Sequence, residues 1–136
     1  VMNRRLYERR QKGWALILTA ILALILVPMA GLAIDATVLY AMKANLSTAT
    51  DAAAIAAARN LHVGLTLAEQ ETAAINRALA FFKANFPNNA WFTKNNTVNA
   101  SVAETGFKTR TVTVNASIDA PIYFMRLLGF NNTKIV

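Results

Sequence analysis

The chain has 136 residues, 55% hydrophobic and 15% charged, with a net charge of +7 and no cysteine. The length suits a single domain, and the missing cysteine excludes a disulfide framework and a thiolate metal site. Residues 1–13 carry Arg4, Arg5, Arg9, Arg10 and Lys12 against Glu8, a cluster that abuts an apolar run instead of lining an element among aromatic or polar readers, which argues against a nucleic-acid partner.

That run is "WALILTAILALILVPMAGLAI", Trp14–Ile34, 21 residues without a charge. As a helix it is about 31 Å long, the thickness of a bilayer's hydrocarbon core. The basic side is expected to stay cytoplasmic and everything after Asp35 to be exported, with Trp14 at the inner interface. Pro28 is expected to kink the helix rather than end it. A cleavable secretory signal ending near "GLA" (31–33) is the competing reading, but the apolar run is longer than a usual signal core.

No breaker follows Asp35. Leu39, Met42, Leu46 and Ala49 or Ala53 recur on one face, so one helix is predicted from about Trp14, or earlier, to about Leu61. "STATDAAAIAAARN" (47–60) holds seven alanines. They favour helix strongly but supply little apolar area. Small residues let helix backbones approach closely. Ala30, Gly31, Ala49, Ala52, Ala53, Ala56 and Ala57 are therefore candidate packing residues between copies, and the same face also suits packing on the protein's own head. Gly64 is available to end the helix. A second helix is predicted over 66–86, opened by a Thr66/Glu69 capping box. Its apolar stripe combines Leu67, Ala74, Ala78 and Phe81 with Ile75, Leu79 and Phe82.

The hydrophobic period then changes to two. "TVNASVA" (97–103) and "TRTVTVNASID" (109–119) read as an antiparallel hairpin around "ETGF". Pro121 stops the second strand, "IYFMRLL" (122–128) makes an apolar helical turn ended by Gly129, and "TKIV" (133–136) looks like the opening of a third strand. The predicted class is α+β: a basic tail (1–13), a transmembrane or filament-core segment (14–34), an alanine-rich stalk helix (35–61) and a small α+β head (62–136).

The residues offer no catalytic constellation. His62 is the only histidine and reads as a loop or cap residue; no serine or threonine has a histidine partner placed by spacing, and the glycines are too dispersed to cradle phosphate. Neither an enzyme nor a cofactor or metal site is expected. Asn-x-Ser/Thr triplets at Asn45, Asn95, Asn99, Asn115 and Asn131 matter only if the exported head is glycosylated.

The order of "RRQKGWALILTAILALILVPMAGLAIDATVLYAMKANLSTATDAAAIAAA" (9–58) resembles the N-terminal region of TadE/TadG-like proteins of bacterial tight-adherence (Flp pilus) systems. Gly13, Asp35, Tyr40, Asp51 and Ala52–Ala54 match that pattern residue by residue, and the closing "IYFMRLLGF" resembles the end of such heads. Pilin-like members cut by a prepilin peptidase carry a glutamate five residues beyond the cut. From Gly13 that position is Leu18, so cleavage at Gly13–Trp14 is not expected. The resemblance implies a pilin-like structural subunit that packs through its N-terminal helix as a homo-oligomeric, pilus-like filament at the cell surface. The alternative is a low-copy, membrane-anchored assembly or adhesion component (a minor pseudopilin). Either implies the inner membrane before assembly and other pilus-assembly components as partners.

Overall fold

A computed structural model describes the backbone of residues 2–136 and the side chains of residues 13–136. The expectations on Arg4, Arg5, Arg9, Arg10 and Lys12 concern side chains outside the described residues. Helix α1 runs uninterrupted over Met2–Arg59, with Pro28 inside it. A hydrogen-bonded turn at Asn60–Val63 ends it, and Gly64 follows with φ +128°. An added Cβ there would lie 2.8 Å from Cβ of Glu69, so the bend into the next helix requires glycine.

Helix α2 spans Leu67–Asn85 with Thr66 as its N-cap, and both halves of the capping box are formed. The Glu69 carboxylate accepts from the backbone N–H of Leu65 (2.8 Å) and Thr66 (3.1 Å), two donors the helix itself cannot satisfy. The Thr66 bond, then that of Leu65, holds the Glu69 carboxyl below its ordinary value of 4.5. A carboxyl lowered in the folded state stabilises fully above its unfolded value and loses that contribution as pH falls through the lowered folded one. Head stability in the wild type is thus expected to decline below about pH 4.5, the unfolded glutamate range. Glu69→Gln, which keeps an acceptor oxygen, is expected to flatten that decline; thermal unfolding measured across acid pH checks it.

Between α2 and the sheet, a short 3₁₀ turn (Ala90–Phe92) holds Trp91 and Phe92 at positive φ. The sheet has three antiparallel strands in the order β1 (Lys94–Gly106), β2 (Thr109–Ala120), β3 (Thr133–Ile135). Gly106 pairs with Thr109, so the hairpin turns on Phe107 and Lys108, two residues beyond the centre of "ETGF". β3 is a paired strand, with Ile135 opposite Ile118. One face of the hairpin (Val98, Ala100, Val102, Val112, Val114, Ala116, Ile118) lies against the helices, the alternation that a half-covered antiparallel sheet requires.

The core sits where α1 packs on α2 and β2, with α2 also against β1. Met42, Leu46, Ala49, Ala53 and Ala57 form the buried stripe of α1, and Ala74, Ala78, Phe82 and Phe86 come from the α2 segment. The larger members supply most of the apolar stabilisation, at roughly 1.5–3 kcal/mol for each fully buried Leu, Ile, Met or Phe. The alanines set the helix spacing. On α2 the predicted stripe is narrower than expected, because Leu67 is exposed and Phe81 only half-buried.

Candidate functional site

Two stretches of α1 behave differently. From Gly13 to Ala30 every residue is exposed, including Leu16, Ile17, Leu18, Ile21 and Leu22, and the helix is long and apolar enough to cross a membrane. From Gly31 onwards the head covers one side of it. The two regimes meet at Gly31 and Asp35, one helical turn apart on one face.

Asp35 is a charged side chain only 1% exposed. Its Oδ1 accepts from Tyr123 N–H (3.1 Å), and its Oδ2 from Phe124 (2.9 Å) and Met125 (2.7 Å). A buried carboxylate is tolerable only with such bonds. Here it caps the start of the 3₁₀ turn Met125–Leu128, which Gly129 closes at φ +88°. The segment that follows β2 is thereby tied to the point where the apolar run ends.

Gly31 lets the same segment come close. A Cβ there would fall 2.7 Å from Cδ1 and Cγ of Phe124 and 2.8 Å from its Cβ. Gly31→Ala is expected to destabilise the head: overpacking costs about 1–3 kcal/mol, offset by up to about 1 kcal/mol of helix propensity. Adding Phe124→Ala should restore most of the loss. A double-mutant cycle of urea midpoints reads the coupling, and additive losses would show that the ring and the glycine do not meet.

The other sequence-predicted residues fall into groups. Ala49, Ala53 and Ala57, read as packing either between copies or on the protein's own head, are buried inside one subunit, and Gly31, read as packing between copies, is buried against Phe124; these four pack within the chain. Ala52 and Ala56 are half-buried and floor a groove of about 400 Å³ with Ile55, Arg77 and Phe81. Ala30 is exposed, as is Trp14. Asn45, Asn95, Asn99, Asn115 and Asn131 are all exposed, but Asn45 bonds Ala41 within α1 and Asn95 donates to Asp119. Asn99 and Asn115 face each other across the hairpin. His62 lies in the turn after α1, beside a surface groove shared with Lys108 and Arg110. Among the described residues no group of three His, Asp or Glu side chains could hold a metal.

Sequence reasoning noted Asp35 as the charge that ends the apolar run and as a match to the TadE/TadG-like pattern, but assigned it no partner. Its partners lie 88–90 residues away. The available signal was an acidic residue one turn after a glycine, with no basic neighbour to pair with it. No curated protein and no solved structure matches the chain. Residues 13–60, from the start of the apolar run to the end of α1, match the family described as "Putative Flp pilus-assembly TadE/G-like", the one the sequence resembles.

Proposed function

We propose that the chain is a membrane-anchored component of a Flp-type pilus-assembly system, with α1 as its anchor and the head held outside the membrane. The observation that carries this reading is the change along one unbroken helix. From Gly13 to Ala30 it is bare and largely apolar, and from Gly31 on it carries a head fastened through Asp35. The matched family supports a role in pilus assembly and not in catalysis. The basic cluster before Trp14 supports a cytoplasmic N-terminus with the head exported.

A structural pilin-like role is the second reading. The bare face of residues 14–34 favours it, since such a face is free to pack on neighbouring copies in a filament core. The alanine stripe no longer argues for it, because Ala49, Ala53 and Ala57 are occupied within the subunit. Stoichiometry separates the two. In sheared filaments the chain is expected at trace levels or absent, with the bulk remaining in the membrane fraction. Filaments composed mainly of this chain would overturn the anchored reading in favour of the pilin-like one.

A further inference from the structure

We propose that the segment Tyr123–Phe130 is a membrane-interface collar, inserted into the headgroup region of the leaflet that α1 leaves at Asp35. This rests on reading α1 as a membrane anchor and adds a second point of contact with lipid, made by the head.

Position comes first. Phe124 packs on Gly31, which belongs to the last turn of the uncharged run, so an α1 that spans a bilayer carries this segment to the depth of its own exit. Exposure comes second. Tyr123, Leu127, Leu128 and Phe130 project into solvent, Leu127 with 85% of its surface free. An apolar cluster of this kind marks an interaction surface on a folded head. Chemistry is third. Aromatic residues favour the membrane interface, and the exposed Arg126 can lie along it with its guanidinium among phosphates. Strand register puts Lys94 and Lys134 opposite Asp119, near the end of β2 that feeds this segment.

The backbone supplies the fourth observation. Lipid admits irregular chain only where its polar groups are satisfied internally. The N–H groups of Tyr123, Phe124 and Met125 go to Asp35. Those of Leu127, Gly129 and Phe130 go to the carbonyls of Phe124, Arg126 and Met125. Six of the segment's eight backbone N–H groups are thus bonded within the chain, which lowers the cost of leaving water on its outer side. Continuity with the apolar face of α1 names the lipid surface as its occupant.

The cysteine-free sequence makes the test direct. The full chain is reconstituted in phosphatidylcholine–phosphatidylglycerol vesicles as single variants Leu24→Cys, Leu65→Cys, Leu127→Cys and Leu128→Cys, each carrying a nitroxide. Collision with oxygen, which concentrates in lipid, is compared with collision with a water-soluble nickel chelate. All but Leu128 are more than 75% exposed, namely Leu24 77%, Leu65 98% and Leu127 85%, so the labels do not disturb the core. Leu65, in the α1–α2 turn, is the water reference, and Leu24 reports the span. The expected result is an oxygen-to-nickel ratio at Leu127 and Leu128 several-fold above that of Leu65 and below that of Leu24. Nickel access at both positions equal to that of Leu65, with Leu24 still in lipid, overturns the collar and leaves the anchor standing. Low access to both reagents means that protein, such as a second copy, covers the segment, and also overturns it. Nickel access at Leu24 overturns the anchor reading itself, and the collar with it.

Discussion

Replacing Asp35 by alanine is expected to produce the largest loss of head stability of any single change at the base. Hydrogen bonds to a charged acceptor contribute about 1.5–3 kcal/mol each, and a buried donor left without a partner costs about 1–3 kcal/mol. Three backbone donors converge on this one carboxylate. Because they are only partly buried, water recovers some of the loss, and a net cost of about 2–4 kcal/mol is expected. For a head of this size that is a drop in Tm on the order of 10 °C or more. Asp35→Asn is expected to fall between, since the amide keeps one acceptor but turns an NH2 group towards a backbone donor. Trypsin supplies an independent readout, because Arg126 lies within the tethered segment. Cleavage after Arg126 should accelerate strongly in Asp35→Ala. An unchanged rate together with an unchanged Tm would mean that the carboxylate does not hold the segment.

Ala53→Leu is the second large effect. Ala53 and Ala57 are 0% exposed and share one core with Ala74 and Ala78, where α1 packs on α2. Three added carbons have no space in an interior packed near crystal density, so the helices must separate or the side chain must leave its rotamer. Overpacking of this kind costs about 1–3 kcal/mol, and the upper end is expected here because small side chains on both helices set the spacing. Leucine is nearly as good a helix former as alanine, so helix propensity is not what changes. The decisive condition is dilution. In detergent-solubilised monomer, Ala53→Leu should already unfold at lower urea than wild type, while Ala44→Leu on the exposed face should not. A wild-type midpoint for the Ala53→Leu monomer, with assembly lost, would return this stripe to a role between copies.

The parts of the fold legible in the sequence were those set by local rules. The long helix followed from an uninterrupted apolar and alanine-rich pattern, the capping box from Thr66 and Glu69, and the hairpin from period-two alternation on either side of Gly106. The third strand was legible as a fragment, but not its pairing with Ile118 and Ala120, because a three-residue strand has no period to read. The base was hidden for another reason. Asp35 looks the same in sequence whether it ends a span or binds three amides 88–90 residues away. Gly31 shows its purpose only once Phe124 stands over it. The alanines lay between these cases: their tight packing was legible, but which partner they pack against depends on where α2 folds back, and composition does not encode that.

The Asp35 tether also imposes an order in time. In the proposed orientation, residue 35 is among the first to emerge on the far side of the membrane. Its three partners follow 88–90 residues later. The tether therefore closes only after residues 123–125 have also crossed, and contacts so distant in sequence form late and slowly. Until then the first half of the head waits as an amphipathic helix without its sheet. A chain stalled during translocation thus leaves the glycine and aspartate at its membrane exit bare, a surface by which an unfinished subunit differs from a finished one.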